Sequence, residues 1–281
     1  MRLSSGQVAV VTGAASGIGL AICRALGRRG LLIAALDVEE SALAAAANFL
    51  RSEGVASQAF HCDVSDSGSV GTATRDVLEH FGAVDLLINN AGVGGALGPC
   101  WEIHENDWTW TVCVNLMGVV HSLRAFLPAM TRRPQAHVVN VASLAGLTAP
   151  PFLGPYVATK HAVVALTESL SAELRLMGTS VGASVACPGA VESRIGDSIR
   201  NRPRALAHDG GPDPALVAGI QAEFAKHVGG CISASEAAEL ILEGVEADRL
   251  HILTHRDSGS PILERLAAIG SALPQAREQV Q

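Results

Sequence analysis

The sequence predicts an α/β fold: a doubly wound parallel sheet of about seven strands with helices on both faces, in a single domain over residues 1–281. Apolar runs alternate with amphipathic segments from one end to the other, the rhythm of strands covered on both faces by crossover helices. No internal repeat and no linker-like stretch divides the chain. Hydrophobic residues make up 48% and charged residues 17%, a globular composition well able to fill one large core.

The elements follow in order. QVAVVTG (7–13) reads as the first strand, ending in glycine. GIGLAICRALGRRG (17–30) sets Ile18, Ile22, Ala25 and Leu26 at helical spacing and stops at Gly30. LLIAALD (31–37) is the second strand, and SALAAAANFLRSEG (41–54) is a strong helix former. SQAFHCDV (57–64), SVGTATRDVLEHFG (69–82) and AVDLLINNAG (83–92) give strand, helix and strand. A long helical region (107–130) leads to AHVVNVAS (136–143), the fifth strand. Residues 155–178 form a helix closed by Gly178, and SVGASVACPG (180–189) is the sixth strand. Residues 192–215 are polar and rich in breakers, a long irregular loop of the kind that carries function. SASEAAELILEGVEAD (233–248) and RLHILTH (249–255) add a helix and strand, and PILERLAAIGSAL (261–273) is a terminal helix within an extension over 255–281.

Charge and cysteine content exclude several classes. The formal charge is -7, and the one basic cluster, Arg200, Arg202 and Arg204, falls short of a nucleic-acid surface. With Arg194 these arginines read as a solvated loop face, or as an attraction for an acidic substrate tail. The apolar run near the N-terminus is too short for a signal peptide, and residues 138–159 carry too much Pro, Gly and polar residue for a membrane span. The six cysteines, Cys23, Cys62, Cys100, Cys113, Cys187 and Cys231, show neither C-x-x-C pairs nor metal-ligand spacing. They are expected as free, mostly buried thiols in a cytoplasmic protein, and no metal site is expected. Trp101, Trp108 and Trp110 read as packing residues.

Three groups of residues carry chemistry. In TGAASGIG (12–19), Gly13, Gly17 and Gly19 sit where a strand becomes a helix, the place where a backbone without Cβ approaches a pyrophosphate and helix amides hold it. Asp37, eighteen residues beyond Gly19, ends the second strand where a carboxylate would receive adenosine ribose hydroxyls. No Arg or Lys lies in the glycine turn or directly after Asp37 to meet a 2'-phosphate, which favours NAD over NADP. Asp63 reads either as an adenine contact or as a helix cap near Ser65, and Asn89 and Asn90 either as turn residues or as part of the same crevice. Tyr156, the only tyrosine, stands four residues before Lys160, so the two share a helix face. An adjacent ammonium favours the phenolate, which makes the pair a plausible acid/base device; the bland alternative is an amphipathic helix start with a surface lysine. Ser143, at the end of the fifth strand, reads as a hydrogen bond to a carbonyl oxygen or as a turn former.

TGAASGIG, CDV (62–64), NNAG (89–92), Val114–Asn115, VASLAG (141–146), YVATK (156–160) and PGAV (188–191) occur in one order and spacing. On these motifs residues 7–191 resemble the short-chain dehydrogenase/reductase family. The resemblance implies a Rossmann-like fold and a tetrad of Asn115, Ser143, Tyr156 and Lys160. Tyr156 would be the general acid and base, Lys160 would bind the nicotinamide ribose and lower the Tyr156 pKa, Ser143 would orient the substrate oxygen, and Asn115 would hold a water. It further implies cofactor contacts from Gly13, Ser16, Gly17, Ile18, Gly19, Asp37, Asp63, Val64, Asn90, Ala91, Gly92, Pro188, Gly189, Val191 and Ser193, the last standing where relatives commonly carry Thr. The V-D-G-G ending that helps relatives form tetramers is absent. The greasy helices at 107–130 and 156–177 favour a homodimer, with a homotetramer the other expected assembly. Leu97, Leu144, Phe152 and Leu153, with Pro151 and Val191, are expected to line an apolar substrate pocket. The activity expected is hydride transfer between NAD(H) and an apolar, bulky secondary alcohol or ketone. A 3-oxoacyl-thioester reductase is the alternative within this chemistry, and a non-catalytic NAD-binding sensor the alternative outside it.

Overall fold

The computed structural model describes residues 1–227 and 230–274. Seven strands form one parallel sheet in the order β3-β2-β1-β4-β5-β6-β7: β1 (Val8–Thr12), β2 (Leu32–Asp37), β3 (Ser57–His61), β4 (Leu86–Asn89), β5 (Ala136–Val141), β6 (Val181–Cys187) and β7 (His251–Leu253). The crossovers are α1 (Gly17–Arg28), α2 (Glu40–Ser52), α3 (Ser67–Phe81), α4 (Glu105–Val112) continuing into α5 (Gly118–Met130), α6 (Gly154–Leu176), and α7 (Pro214–His227) with α8 (Ala234–Glu246). α9 (Gly259–Ser271) follows β7, and residues 275–281 of the predicted extension lie outside the described residues.

Period-two alternation explains why the strand sequences are apolar throughout. Ala9 and Val11 of β1 enter one core with Ile33 and Ala35 of β2, Leu86 and Ile88 of β4, and Ile22, Leu26, Ile241 and Leu242 of α1 and α8. The intervening Val10, Ala34, Leu36 and Leu87 enter the opposite core with Val77, Phe126, Met130, Val163 and Val164 of α3, α5 and α6. A strand buried on both faces has no polar side to show.

Three expectations are corrected. The 107–130 helix is not uniform: Cys113–Met117 is a π-turn between α4 and α5. The irregular loop contains two short 3-10 segments, Ile195–Asn201 and Arg204–Leu206, and ends where α7 begins at Pro214. The cysteines are free among the described residues, but only Cys23, Cys62 and Cys187 are buried; Cys100 and Cys231 are exposed. Glu105–Met130 is long and apolar enough, by length and composition, to cross a membrane, with 33% of its window buried. In the fold it packs against α3 and α6.

Candidate active site

The strands run parallel, so the loops leaving their C-terminal ends meet on one side, and a cleft of about 340 Å³ opens there. Its floor is the β1–α1 turn. Gly13 has φ +64°, and a Cβ on it would stand 2.9 Å from Ala91 Cα; a Cβ on Gly19 would stand 2.1 Å from the Gly13 carbonyl oxygen. Gly19 therefore lies behind the cleft wall and lets the first helical turn pass close under the glycine loop. Asn90 fixes the same turn, its side-chain amide donating to the carbonyls of Thr12 (2.9 Å) and Gly13 (3.2 Å). Thr12 Oγ1 in turn accepts the amides of Asn90 and Ala91.

Asp37 points into this floor, with Oδ2 accepting the Ala15 amide at 2.9 Å and Oδ1 the Glu39 amide at 3.0 Å. A carboxylate has further lone pairs, which face the cleft that Asp37 lines. Asp63 Oδ1 accepts from both the amide and the hydroxyl of Ser65, closing a turn, while the cap of α3 is Asp66. Asn89 does not reach the cleft; it donates to Asn140, which donates to Thr167, linking β4, β5 and α6 beneath it.

At the other end of the cleft Ser143, Tyr156 and Lys160 share its wall. The i, i+4 spacing on α6 brings Lys160 Nζ within 5.6 Å of the Tyr156 ring centroid. Lys160 is buried, and its ammonium donates to Val141 O at 2.9 Å, which leaves N–H groups for a ligand. Burial lowers its pKa to about 8. Burial pushes the Tyr156 phenol up, and the Ser143 hydroxyl opposes that shift. Desolvation thus governs the phenol in this structure rather than the expected push from Lys160. Asn115 stands behind the wall on the π-turn. Its Oδ1 accepts the Val93 amide at 2.8 Å, and Nδ2 donates to Val93 O at 2.9 Å and to Thr159 at 3.3 Å. The Asn115 side chain thus ties the 91–94 loop to the π-turn and to α6.

The 188–191 loop is held by the end of β7. His255 Nδ1 accepts the Gly189 amide at 3.2 Å, so Nε2 carries the proton it donates to Ala190 O at 3.0 Å. Beyond it the chain crosses the cleft as a roof. Ser193 lies over Gly17, whose Cβ would stand 3.2 Å from Ser193 Cβ; this puts Ser193 above the glycine turn. Ser198 Oγ accepts the Gly94 amide at 3.0 Å. Arg200 Nη2 meets Glu39 Oε1 at 2.6 Å, and Arg202 pairs with the buried Asp107 while its guanidinium lies 5.4 Å from the Trp110 ring centroid. His208 adds a 3.1 Å contact to Asp107 and stacks on His104. Arg200 and Arg202 are therefore not the solvated face expected from sequence, because carboxylates distant in the chain meet them.

The cleft wall includes Gly13, Ser16, Gly17, Ile18, Asp37, Asp63, Val64, Asn90, Ala91, Gly92, Pro188, Gly189, Val191 and Ser193. Leu97, Leu144, Phe152 and Leu153 are not in it. Phe152 has φ +65° and turns outward, 38% exposed, while Leu153 pairs with Gly98 in an isolated bridge, so this segment closes on the 93–100 loop instead. Val93, Trp110, Val114 and Ile195 supply the apolar lining. Of these, Trp110 is buried and was expected only to pack; its place three residues before the π-turn is the signal that could have marked it. Among the described residues no cluster of His, Cys, Asp and Glu could hold a metal.

A dinucleotide fits these residues: the glycine turn lines the cleft with Gly13, Ser16 and Gly17, Asp37 lines it beside them, and Lys160 has donors to spare. Comparison with known proteins agrees. The short chain dehydrogenase profile matches residues 7–204. A CLA biosynthesis dehydrogenase/reductase of Lactiplantibacillus plantarum is 32% identical over 270 residues, 94% of this chain and 93% of that one. A 1-deoxy-11-beta-hydroxypentalenate dehydrogenase of Streptomyces exfoliatus is 32% identical, covering 90% of this chain and 84% of its own. A short chain dehydrogenase/reductase from Burkholderia phymatum, solved in complex with NAD, is 39% identical with a TM-score of 0.92 over the whole of both chains. The chain belongs to the short-chain dehydrogenase/reductase family, oxidoreductases that act on alcohols and ketones.

Proposed function

We propose that the protein transfers a hydride between NAD(H) and an apolar, bulky secondary alcohol or ketone, with Tyr156 as general acid and base. The carrying observation is the wall shared by Ser143, Tyr156 and the buried Lys160 at the end of a cleft whose far end presents Asp37. The nicotinamide, when bound, supplies or accepts the hydride. In ketone reduction Tyr156 gives its phenolic proton to the carbonyl oxygen, and in alcohol oxidation it takes that proton back. Ser143 holds the oxygen by hydrogen bond, and the Lys160 ammonium binds the nicotinamide ribose and steadies the phenolate. Asn115 positions the 91–94 loop. The acidic pair Asp37 and Glu39 beside the expected adenosine ribose supports NAD over NADP.

Val93, Trp110, Val114, Val191 and Ile195 support an apolar substrate. The engagement of Arg200 by Glu39 and of Arg202 by Asp107 leaves the exposed Arg194 and Arg204 as the cationic surface of this loop, half of what the sequence offered an acidic acyl carrier, which weighs against the thioester substrate. Exposed apolar residues on α6, Leu176 among them, support a homodimer paired through α5 and α6. The free cysteines suit a cytoplasmic location.

Nicotinamide absorbance followed with NAD or NADP, a panel of bulky secondary alcohols and Tyr156→Phe tests the reading. Turnover with NAD is expected to fall about a hundred- to ten-thousand-fold in the variant. Equal turnover by wild type and variant removes Tyr156 from the chemistry, and turnover only with 3-oxoacyl thioesters replaces the substrate class.

A further inference from the structure

The roof brings a cation to the adenosine side of the cleft that the local sequence around Asp37 does not contain. Glu39 stands two residues after Asp37 and precedes α2, and its carboxylate accepts three hydrogen bonds from the roof. Oε1 accepts from Arg200 Nη2 at 2.6 Å and from Asn201 Nδ2 at 2.9 Å, and Oε2 accepts from Arg200 Nε at 3.2 Å. Arg200 Nη1 donates to the carbonyls of Arg194 (3.2 Å) and Asp197 (2.7 Å). The two charged side chains are each 22% exposed, and both line the cleft beside Asp37 and Val38.

We propose that Glu39 is a nucleotide-specificity residue: it holds Arg200 in a forked ion pair and so withholds from a 2'-phosphate a guanidinium that lines the adenosine side of the cleft. The inference rests on the NAD reading and moves its cause. Selectivity comes from two carboxylates, Asp37 and Glu39, set against Arg200, which Glu39 already holds, while Arg194, also in the lining, pairs with Asp197; it does not come from a lack of positive charge. A guanidinium binds phosphate in the same two-pronged manner as carboxylate, so Glu39 and a 2'-phosphate compete for the same donors. The pair also ties the roof to the β2–α2 turn, which fixes where Arg200 stands.

Calorimetric dissociation constants for 2',5'-ADP and 5'-AMP, measured on the full chain, test this without turnover. The variants are Glu39→Gln, Glu39→Ala, Arg200→Met and Glu39→Ala combined with Arg200→Met, each checked for folding by circular dichroism. The affinity ratio of 2',5'-ADP to 5'-AMP is expected to rise at least tenfold in both Glu39 variants and to return to the wild-type ratio when Arg200→Met is added. A ratio changed less than twofold overturns the proposal. So does a gain that survives Arg200→Met, since the effect is then only the removal of a negative charge. A wild-type preference for 2',5'-ADP is a separate result: it overturns the NAD reading, while the shift in the Glu39 variants still decides the role of the pair.

Discussion

The floor and the roof of the cleft are held by different physics. The floor is fixed by backbone: Gly13 and Gly19 pass so closely that a Cβ has no room, and Thr12 and Asn90 tie β1 to β4 by hydrogen bonds to main-chain groups. The roof is fixed by side-chain charge, Arg200 on Glu39 and Arg202 on Asp107, across 161 and 95 positions of chain. Contacts of the first kind cannot yield without moving the sheet. Those of the second can yield while the sheet stays in place, so the roof is the part expected to move if the cleft opens for a large ligand.

The sharpest test of a rigid floor is Gly19→Val. Its Cβ meets a backbone oxygen rather than a flexible side chain. Dinucleotide affinity should fall more than a hundredfold by calorimetry, and retained affinity would show that the floor can shift. For the roof, Asp107→Asn removes a buried carboxylate from Arg202 and His208. Breaking a buried pair costs ~3–5 kcal/mol when the stranded charge stays inside. A movable roof evades that cost by carrying Arg202 into water, so trypsin cleavage after Arg200 or Arg204 should quicken at least tenfold with a thermal midpoint lowered by only a few degrees. A large loss of thermal stability without faster cleavage would make the roof part of the rigid fold.

Acid should attack the sheet beneath the floor. His137 on β5 is buried against Ser184, whose hydroxyl donates to Arg249 O, and burial lowers its pKa from 6.5 to about 4. The unfolded chain takes up that proton first, so the contribution is whole above about pH 6.5 and is lost as pH falls through about 4. The loss is of order 3 kcal/mol by linkage. Denaturant titrations between pH 7 and 4 should show this slope, and His137→Gln should flatten it. The smallest effect concerns ligand binding at the catalytic end. Lys160 loses its charge as pH rises through about 8, so NAD affinity should weaken severalfold between pH 7 and 9, and Lys160→Met should bind weakly without that dependence.

The contrast between floor and roof is also the contrast between what could and could not be read from sequence. Gly13, Gly17, Gly19 and Asp37 are legible because turn and strand chemistry is local, and Tyr156 with Lys160 because helical periodicity places them on one face. The buried strands announced the sheet order's ingredients through unbroken apolar runs. Glu39 with Arg200 has no local signature, since no spacing rule joins residues brought together only by the tertiary path of a loop. The π-turn at Asn115 adds one residue to a helical turn without changing composition. α7 is missed because, of residues 214–222, only Ile220 is buried, so no apolar stripe marks it. Phe152 and Leu153 are apolar in sequence, yet a left-handed residue turns them away from the cleft.

The two charge ties of the roof differ in their access to dissolved ions. Glu39 and Arg200 are each 22% exposed, whereas the Asp107 carboxylate is 2% exposed. Mobile ions screen the first pair and scarcely reach the second. Rising ionic strength is therefore expected to weaken the Glu39–Arg200 tie before the Asp107–Arg202 tie, so a bound nucleotide should dissociate faster as salt is added.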